Sequence, residues 1–242
     1  MDVVDLAFNF SLTDPAIWGG LFALIAMEIV LGIDNVVFIS LIIAKMDDKR
    51  REFARKLGLS LALIMRIVLL LGIGWVIGLK QTVFSVFDNH FSWRDIILIG
   101  GGLFLLAKAT QEIHNDIEGE AKHDVGVSRF FILVIFQIIL VDLVFSVDSI
   151  ITAIGMTDHV EIMIVAVIVA VIVMYFASKQ ISTFIELHPS TKIIALAFLL
   201  LVGAALIAEG FQVHIPKGYI YFAMGYAAFI EYLNIRRTQK KS

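Results

Sequence analysis

The chain has 242 residues, is 60% hydrophobic and only 17% charged, and has a mean hydropathy of +0.92. Water-soluble domains are about 45–50% apolar and about 25% charged, so this composition excludes an ordinary soluble globule and points to the bilayer. There is no cysteine, which excludes disulfides, thiolate metal sites and thiol catalysis, and a net charge of -3 without a basic, aromatic-interleaved patch argues against a nucleic-acid partner.

The first residues, Met1 to Asp14, carry no Lys or Arg and no cleavage signal, so no removable signal peptide is expected. Asp14-Pro15 reads as a helix start, with Asp capping and Pro at the first helical position. An apolar run from Ala16 to Ala44 follows, longer than the roughly 20 residues a span needs. Lys45 to Lys56 is a basic hinge, read as a topology anchor on anionic lipid. The second span is Leu57 to Leu79, with Arg66 inside it. Lys80 to Arg94 connects to a shorter third span, Asp95 to Thr110, with Lys108 near its end. Gln111 to Ser128 reads as a polar loop. Its acids and histidines, Glu112 to Asp124, are those of a solvated segment rather than a metal trap.

Phe130 to Gly155 is the fourth span and Ile162 to Ile181 the fifth. Ser178 to Thr191 connects, with His188-Pro189 as a break and restart. Lys192 to Glu209 is the sixth span and Tyr219 to Leu233 the seventh, with Glu231 at the interface, before a basic tail. With the N-terminus outside, fourteen of the nineteen Lys and Arg fall in cytoplasmic segments, three outside and two within spans. The positive-inside rule therefore predicts N-out, C-in.

Two stretches stand out. Glu28 to Ser40, EIVLGIDNVVFIS, places Glu28 and Asp34 inside the first span. Asp142 to Ile154, DLVFSVDSIITAI, places Asp142 and Asp148 inside the fourth. The motifs align without gaps. Asn35 faces Ser149, and Gly32 faces Ser146. Three spans separate equivalent points, so the copies cross in opposite directions. The expected architecture is all-α and polytopic: one membrane domain over 1–242, with an inverted 3+3 repeat (about 16–110 against about 129–210) and an extra helix at about 219–235.

Antiparallel packing predicts Glu28 level with Asp148 and Asp34 level with Asp142. Acids six apart lie about 240° apart on a straight helix, so a break at Gly32 and at Ser146 is expected. Each charge at a helix centre costs roughly 2.5–3.5 kcal/mol. Four unpaired acids would cost on the order of 10 kcal/mol, comparable with the stability of a whole domain. Arg66 and Lys108 cannot neutralise four carboxylates, and the excess anion calls for a cation. Carboxylate, amide and hydroxyl oxygens favour Mg2+, Ca2+ or Mn2+ over Zn2+ or Cu2+. Arg66 is read as a gating or charge-balancing group, Lys108 as another or as a side chain that snorkels to the interface, and Glu209 as a gating residue that lines an exit path.

The segments EIVLGIDN, FSVDS, HPSTKIIALAFLLLVGAALIAEGF and PKGYIYFAM resemble the TerC family of integral membrane proteins over essentially the whole chain. The resemblance implies a seven-helix bacterial inner-membrane protein related to the LysE-type transporter superfamily. Characterised relatives export manganese, and some are tied to tellurium resistance or to metal supply for exported enzymes. Some carry further soluble domains after the membrane part. The family's acidic positions map onto Glu28, Asp34, Asn35, Asp142, Asp148 and Ser149.

The expected function is secondary export of a divalent cation, Mn2+ by resemblance, with protons returning on the same carboxylates and no prosthetic group. An intramembrane enzyme is the weaker reading, since an aspartyl dyad needs only two acids and zinc chemistry wants His in the membrane. A retinal photoreceptor fails because Tyr219 to Leu233 has no Lys. An accessory protein that hands metal to exported proteins at the secretion machinery would keep the same site.

Overall fold

The computed structural model describes residues 15–44, 46–86, 89–118, 127–157 and 159–239. The expected Asp14 cap, Lys45 and the loop residues Glu120, His123 and Asp124 lie outside them. The elements in order are α1 (Pro15–Ile43), α2 (Asp48–Leu71), α3 (Ile73–Gly78), β1 (Thr82–Val86), β2 (Asn89–Ser92), α4 (Trp93–Glu118), α5 (Val127–Ile154), α6 (Val160–Leu187), α7 (Pro189–Gly210) and α8 (Lys217–Gln239). Among the described residues the fold is helical apart from one antiparallel hairpin, β1–β2, which lies in the expected polar connector Lys80 to Arg94.

Five helices, α1, α4, α5, α6 and α7, are long and apolar enough to cross a membrane. The other two expected spans fall on α2 and α8, which are less apolar along their length. Large apolar side chains face outward, among them Phe22 (65% exposed), Phe136 (61%) and Phe222 (75%). A surface of this kind is a liability in water and a requirement in lipid.

Several boundaries differ from expectation. The second span is interrupted at Gly72, where α2 ends and the short α3 begins. The loop expected from Gln111 is helical to Glu118, and the connector expected from Ser178 is helical to Leu187. Polar residues on long helices read as loops in sequence, but they only continue a helix beyond the apolar core. The break at Pro189 is where it was expected. His188 is extended (φ -129, ψ 91), as the residue before a proline prefers, and Pro189 begins α7, where its missing N–H costs nothing.

The expected breaks at Gly32 and Ser146 are absent: α1 and α5 are each continuous through them. Gly32 serves a different purpose. A Cβ there would collide with Met174 Sδ of α6, so the glycine lets α1 and α6 approach closely. The same device joins α4 to α7. A Cβ on Gly102 would stand 2.6 Å from the Gly203 carbonyl oxygen, and one on Gly203 3.0 Å from that of Gly102. Small residues at such contacts let helix backbones pack where lipid gives no hydrophobic drive.

Two apolar clusters fill the interior. One includes Phe38, Leu105, Ile138 and Leu199, and the other Leu24, Leu69, Ile150 and Met174. The acids of α1 and α5 interrupt both.

Candidate functional site

The first polar cluster joins α1, α2 and α5. Arg66 Nη1 donates to Glu28 Oε2 at 2.5 Å and Nη2 to Asp142 Oδ1 at 3.1 Å. All three side chains are buried. The guanidinium fork spans two carboxylates, which a point-charge ammonium could not do with the same geometry. Asn35 Nδ2 donates to Asp142 Oδ1 at 2.9 Å, and Ser146 Oγ to Asp142 Oδ2 at 3.2 Å. Since a carboxylate accepts only donors, the amide nitrogen of Asn35 must face it. That leaves Asn35 Oδ1 buried without a hydrogen-bond partner. Buried polar atoms are nearly always paired, so this oxygen is a free acceptor in the cluster, as Arg66 Nε is a free donor. With both acids ionised, the cluster carries one negative charge in excess.

The second cluster joins α4, α5, α7 and α8. Arg94 Nη2 donates to Asp148 Oδ1 at 2.6 Å and to Glu209 Oε1 at 2.7 Å. Lys217 Nζ donates to Asp148 Oδ2. Local structure explains where Arg94 sits. Ser92 N donates to Asp95 Oδ2 at 2.8 Å, and Asp95 N donates to Ser92 Oγ at 3.3 Å. This reciprocal pair is a capping box at the start of α4, and it sets the first turn that carries Arg94.

A cavity of about 40 Å³ opens beside this cluster, lined by Leu31, Asp34, Asp148, Glu209, Lys217 and Tyr221 among others. It has room for a water molecule or a small ion. Asp34 is buried there, and among the described residues it makes no hydrogen bond or ion pair. Arg94 also pairs with Asp95, at 3.8 Å, so four carboxylates, Asp34, Asp95, Asp148 and Glu209, meet two cations and leave two negative charges in excess. Among the described residues no three His, Asp or Glu side chains are gathered at metal-holding spacing; the carboxylates gather around Arg66, and around Arg94 with Lys217.

Comparison with known proteins supplies the rest. The description "Integral membrane protein TerC family" matches residues 13–242. The chain belongs to the TerC family. It is 50% identical over 229 residues to the UPF0053 inner membrane protein YgdQ of Escherichia coli, covering 95% of this chain and 97% of YgdQ. It is 47% identical over 231 residues to a UPF0053 protein of Haemophilus influenzae, covering 93% and 96%. The UPF0053 inner membrane protein YoaE of E. coli is 48% identical over 226 residues, 92% of this chain but 43% of YoaE, which is much longer. No solved structure matches the chain. This TerC protein is a multi-pass protein of the inner membrane.

The TerC motif residues do not all act together. Glu28, Asn35 and Asp142 meet at Arg66, while Asp34 and Asp148 face the cavity. Glu28 meets Asp142 through Arg66, Asp34 and Asp148 line the same cavity, and Asn35, the residue after Asp34, donates directly to Asp142. On a continuous helix, residues six apart point in different directions, so the two acids of one motif serve two clusters. Ser149 is buried, but its hydroxyl donates to Ser146 O of its own helix at 3.3 Å and joins neither cluster. Lys108 pairs with Glu112 one turn away at 3.1 Å, so its charge is already matched within α4. Glu209, expected to line an exit path, is in the second cluster, where it accepts from Arg94. Glu231 is buried rather than interfacial, and accepts from Ser190 and Thr191 at the start of α7.

Arg94 and Lys217 were missed as site residues. Both look like connector charges, because each lies at the margin of an apolar run. The signals were the S-x-x-D pattern around Arg94 and the Pro216 that starts α8 beside Lys217.

Proposed function

We propose that this TerC protein is a secondary transporter that exports a hard divalent cation, with Mn2+ the favoured substrate, by alternating access through the two acidic clusters. The observation that carries this reading is the buried excess of anion. Glu28, Asp34, Asp142 and Asp148 are each 5% exposed or less, and Glu209 joins them, against Arg66, Arg94 and Lys217. Buried charge left unbalanced is costly inside a membrane and marks ion pathways. The available ligands are all oxygens, which suits a hard cation. The choice of manganese rests on the family resemblance.

Seven crossings, with α2 and α8 added to the five apolar helices, and an inverted repeat complete the reading. The main helix pairs, α1 with α6, α2 with α5 and α4 with α7, keep the same pattern when α1 is exchanged for α5, α2 for α6 and α4 for α7. A two-fold relation also brings equivalent residues together, as Glu28 with Asp142 and Asp34 with Asp148. In this frame the hairpin and the α7–α8 connector lie at the outer face. Protons returning on the carboxylates would complete the cycle, with no enzymatic step and no prosthetic group.

The direct test is manganese efflux from cells producing the chain, the Asp34→Asn variant or the Asp148→Asn variant. Wild type is expected to lower cellular manganese and both variants to fail. Full efflux by both variants would refute the reading.

A further inference from the structure

Lys217 is the first residue of α8, and it reaches from outside the two repeats into the second cluster. The two cations of that cluster are held very differently. Arg94 is locked: its guanidinium bridges Asp148 and Glu209, its backbone N–H donates to Leu79 O at 3.0 Å, and the capping box holds the turn it sits on. Lys217 has Asp148 as its hydrogen-bonded partner among the described residues, and its side chain is 29% exposed against 17% for Arg94. Lysine is a compact charge on a flexible stem, whereas arginine is a planar fork.

The backbone leading to Lys217 is pinned, and its ammonium is held at the end of a flexible stem by Asp148. Gln212 takes a left-handed conformation (φ 63), and its Nε2 donates to His90 O of the hairpin at 2.5 Å. Phe211 packs edge-on against Phe91, with ring centroids 5.9 Å apart. The ammonium can therefore leave Asp148 without the connector moving.

The charge count gives this motion a purpose. With Lys217 in place, Asp34, Asp95, Asp148 and Glu209 face two cations and retain two negative charges. With Lys217 withdrawn, the same carboxylates face Arg94 alone and retain three, and a divalent ion in place of the ammonium lowers the excess to one.

Resting on the cation-transport reading above, we propose that Lys217 is a tethered counter-ion. It occupies the Asp148 carboxylate when no substrate is bound, gives way to an incoming divalent cation, and returns to expel it. It thereby sets both the affinity of the cavity and its preference for divalent over monovalent cations. A monovalent ion brings no more charge than the ammonium it must displace, whereas a divalent ion brings twice as much.

The test is calorimetric titration of the purified full chain with Mn2+, with and without excess Na+, for wild type, Lys217→Gln and Lys217→Arg. Melting temperatures in the same detergent serve as the folding control. Lys217→Gln is expected to bind Mn2+ about tenfold more tightly, since it removes a charged hydrogen bond as competitor, and to become sensitive to Na+. Lys217→Arg, which keeps the charge, is expected to return towards wild-type affinity. Equal or weaker Mn2+ binding by a folded Lys217→Gln overturns the tethered counter-ion while leaving the transport reading in place. No Mn2+ binding by any of the three proteins overturns both.

Discussion

Replacing Arg66 with methionine is expected to lower stability by about 3–5 kcal/mol, the usual cost of stripping one partner from a buried ion pair. Arg66 is buried and donates to both Glu28 and Asp142. Methionine fills similar space but leaves two carboxylates facing each other without a cation. The melting temperature in detergent should fall by on the order of 10 °C. A compensated variant separates charge from packing: Arg66→Met combined with Glu28→Gln and Asp142→Asn should recover most of the loss, because no carboxylate is left stranded. A single substitution that melts like wild type would show that Arg66 does not hold this cluster together.

Asp34→Asn is expected to do the opposite: remove transport while leaving stability unchanged or raising it by on the order of 1 kcal/mol. Asp34 is buried, faces the cavity and has no hydrogen bond or ion pair among the described residues. Its charge therefore costs the fold, with no hydrogen bond or ion pair among the described residues to offset it. Neutralising it relieves that cost and removes the feature that makes the cavity attractive to a cation. Melting curves and efflux on the same preparation check both halves. A strongly destabilised Asp34→Asn would mean that the carboxylate has a structural role and is not held ready for a substrate.

Much of this was readable from the sequence because of what a bilayer forbids. A carboxylate in an apolar helix is expensive, so Glu28, Asp34, Asp142 and Asp148 stood out without any structure. Helix restarts at prolines were equally legible, as at Pro189. The partners of the acids were not. Arg94 and Lys217 sit at the edges of apolar runs, where charge is ordinary, and only tertiary packing turns them inward.

Gly32 was open to two physical readings, a break or a close contact, and spacing alone could not choose between them. The contact with Met174 of α6, 142 positions further along, decided it. The pairing of equivalent acids also needed the fold. Antiparallel helices can be slid past one another, whereas a shared guanidinium admits only one register. The hairpin β1–β2 was hidden for a simpler reason: Thr82 to Ser92 is too short a stretch for alternation to show against its polar surroundings.

The central claim, that the buried anionic excess exists to hold a hard divalent cation, is tested most directly by titrating purified wild type and Asp34→Asn with Mn2+, Mg2+ and Ca2+. Loss of an outer-shell partner alone weakens metal binding by about 10–100-fold, so loss of Asp34 should weaken it by at least about a hundredfold. The account predicts saturable Mn2+ binding by wild type that Asp34→Asn loses. Equal binding by the two proteins, or none by wild type, would contradict it.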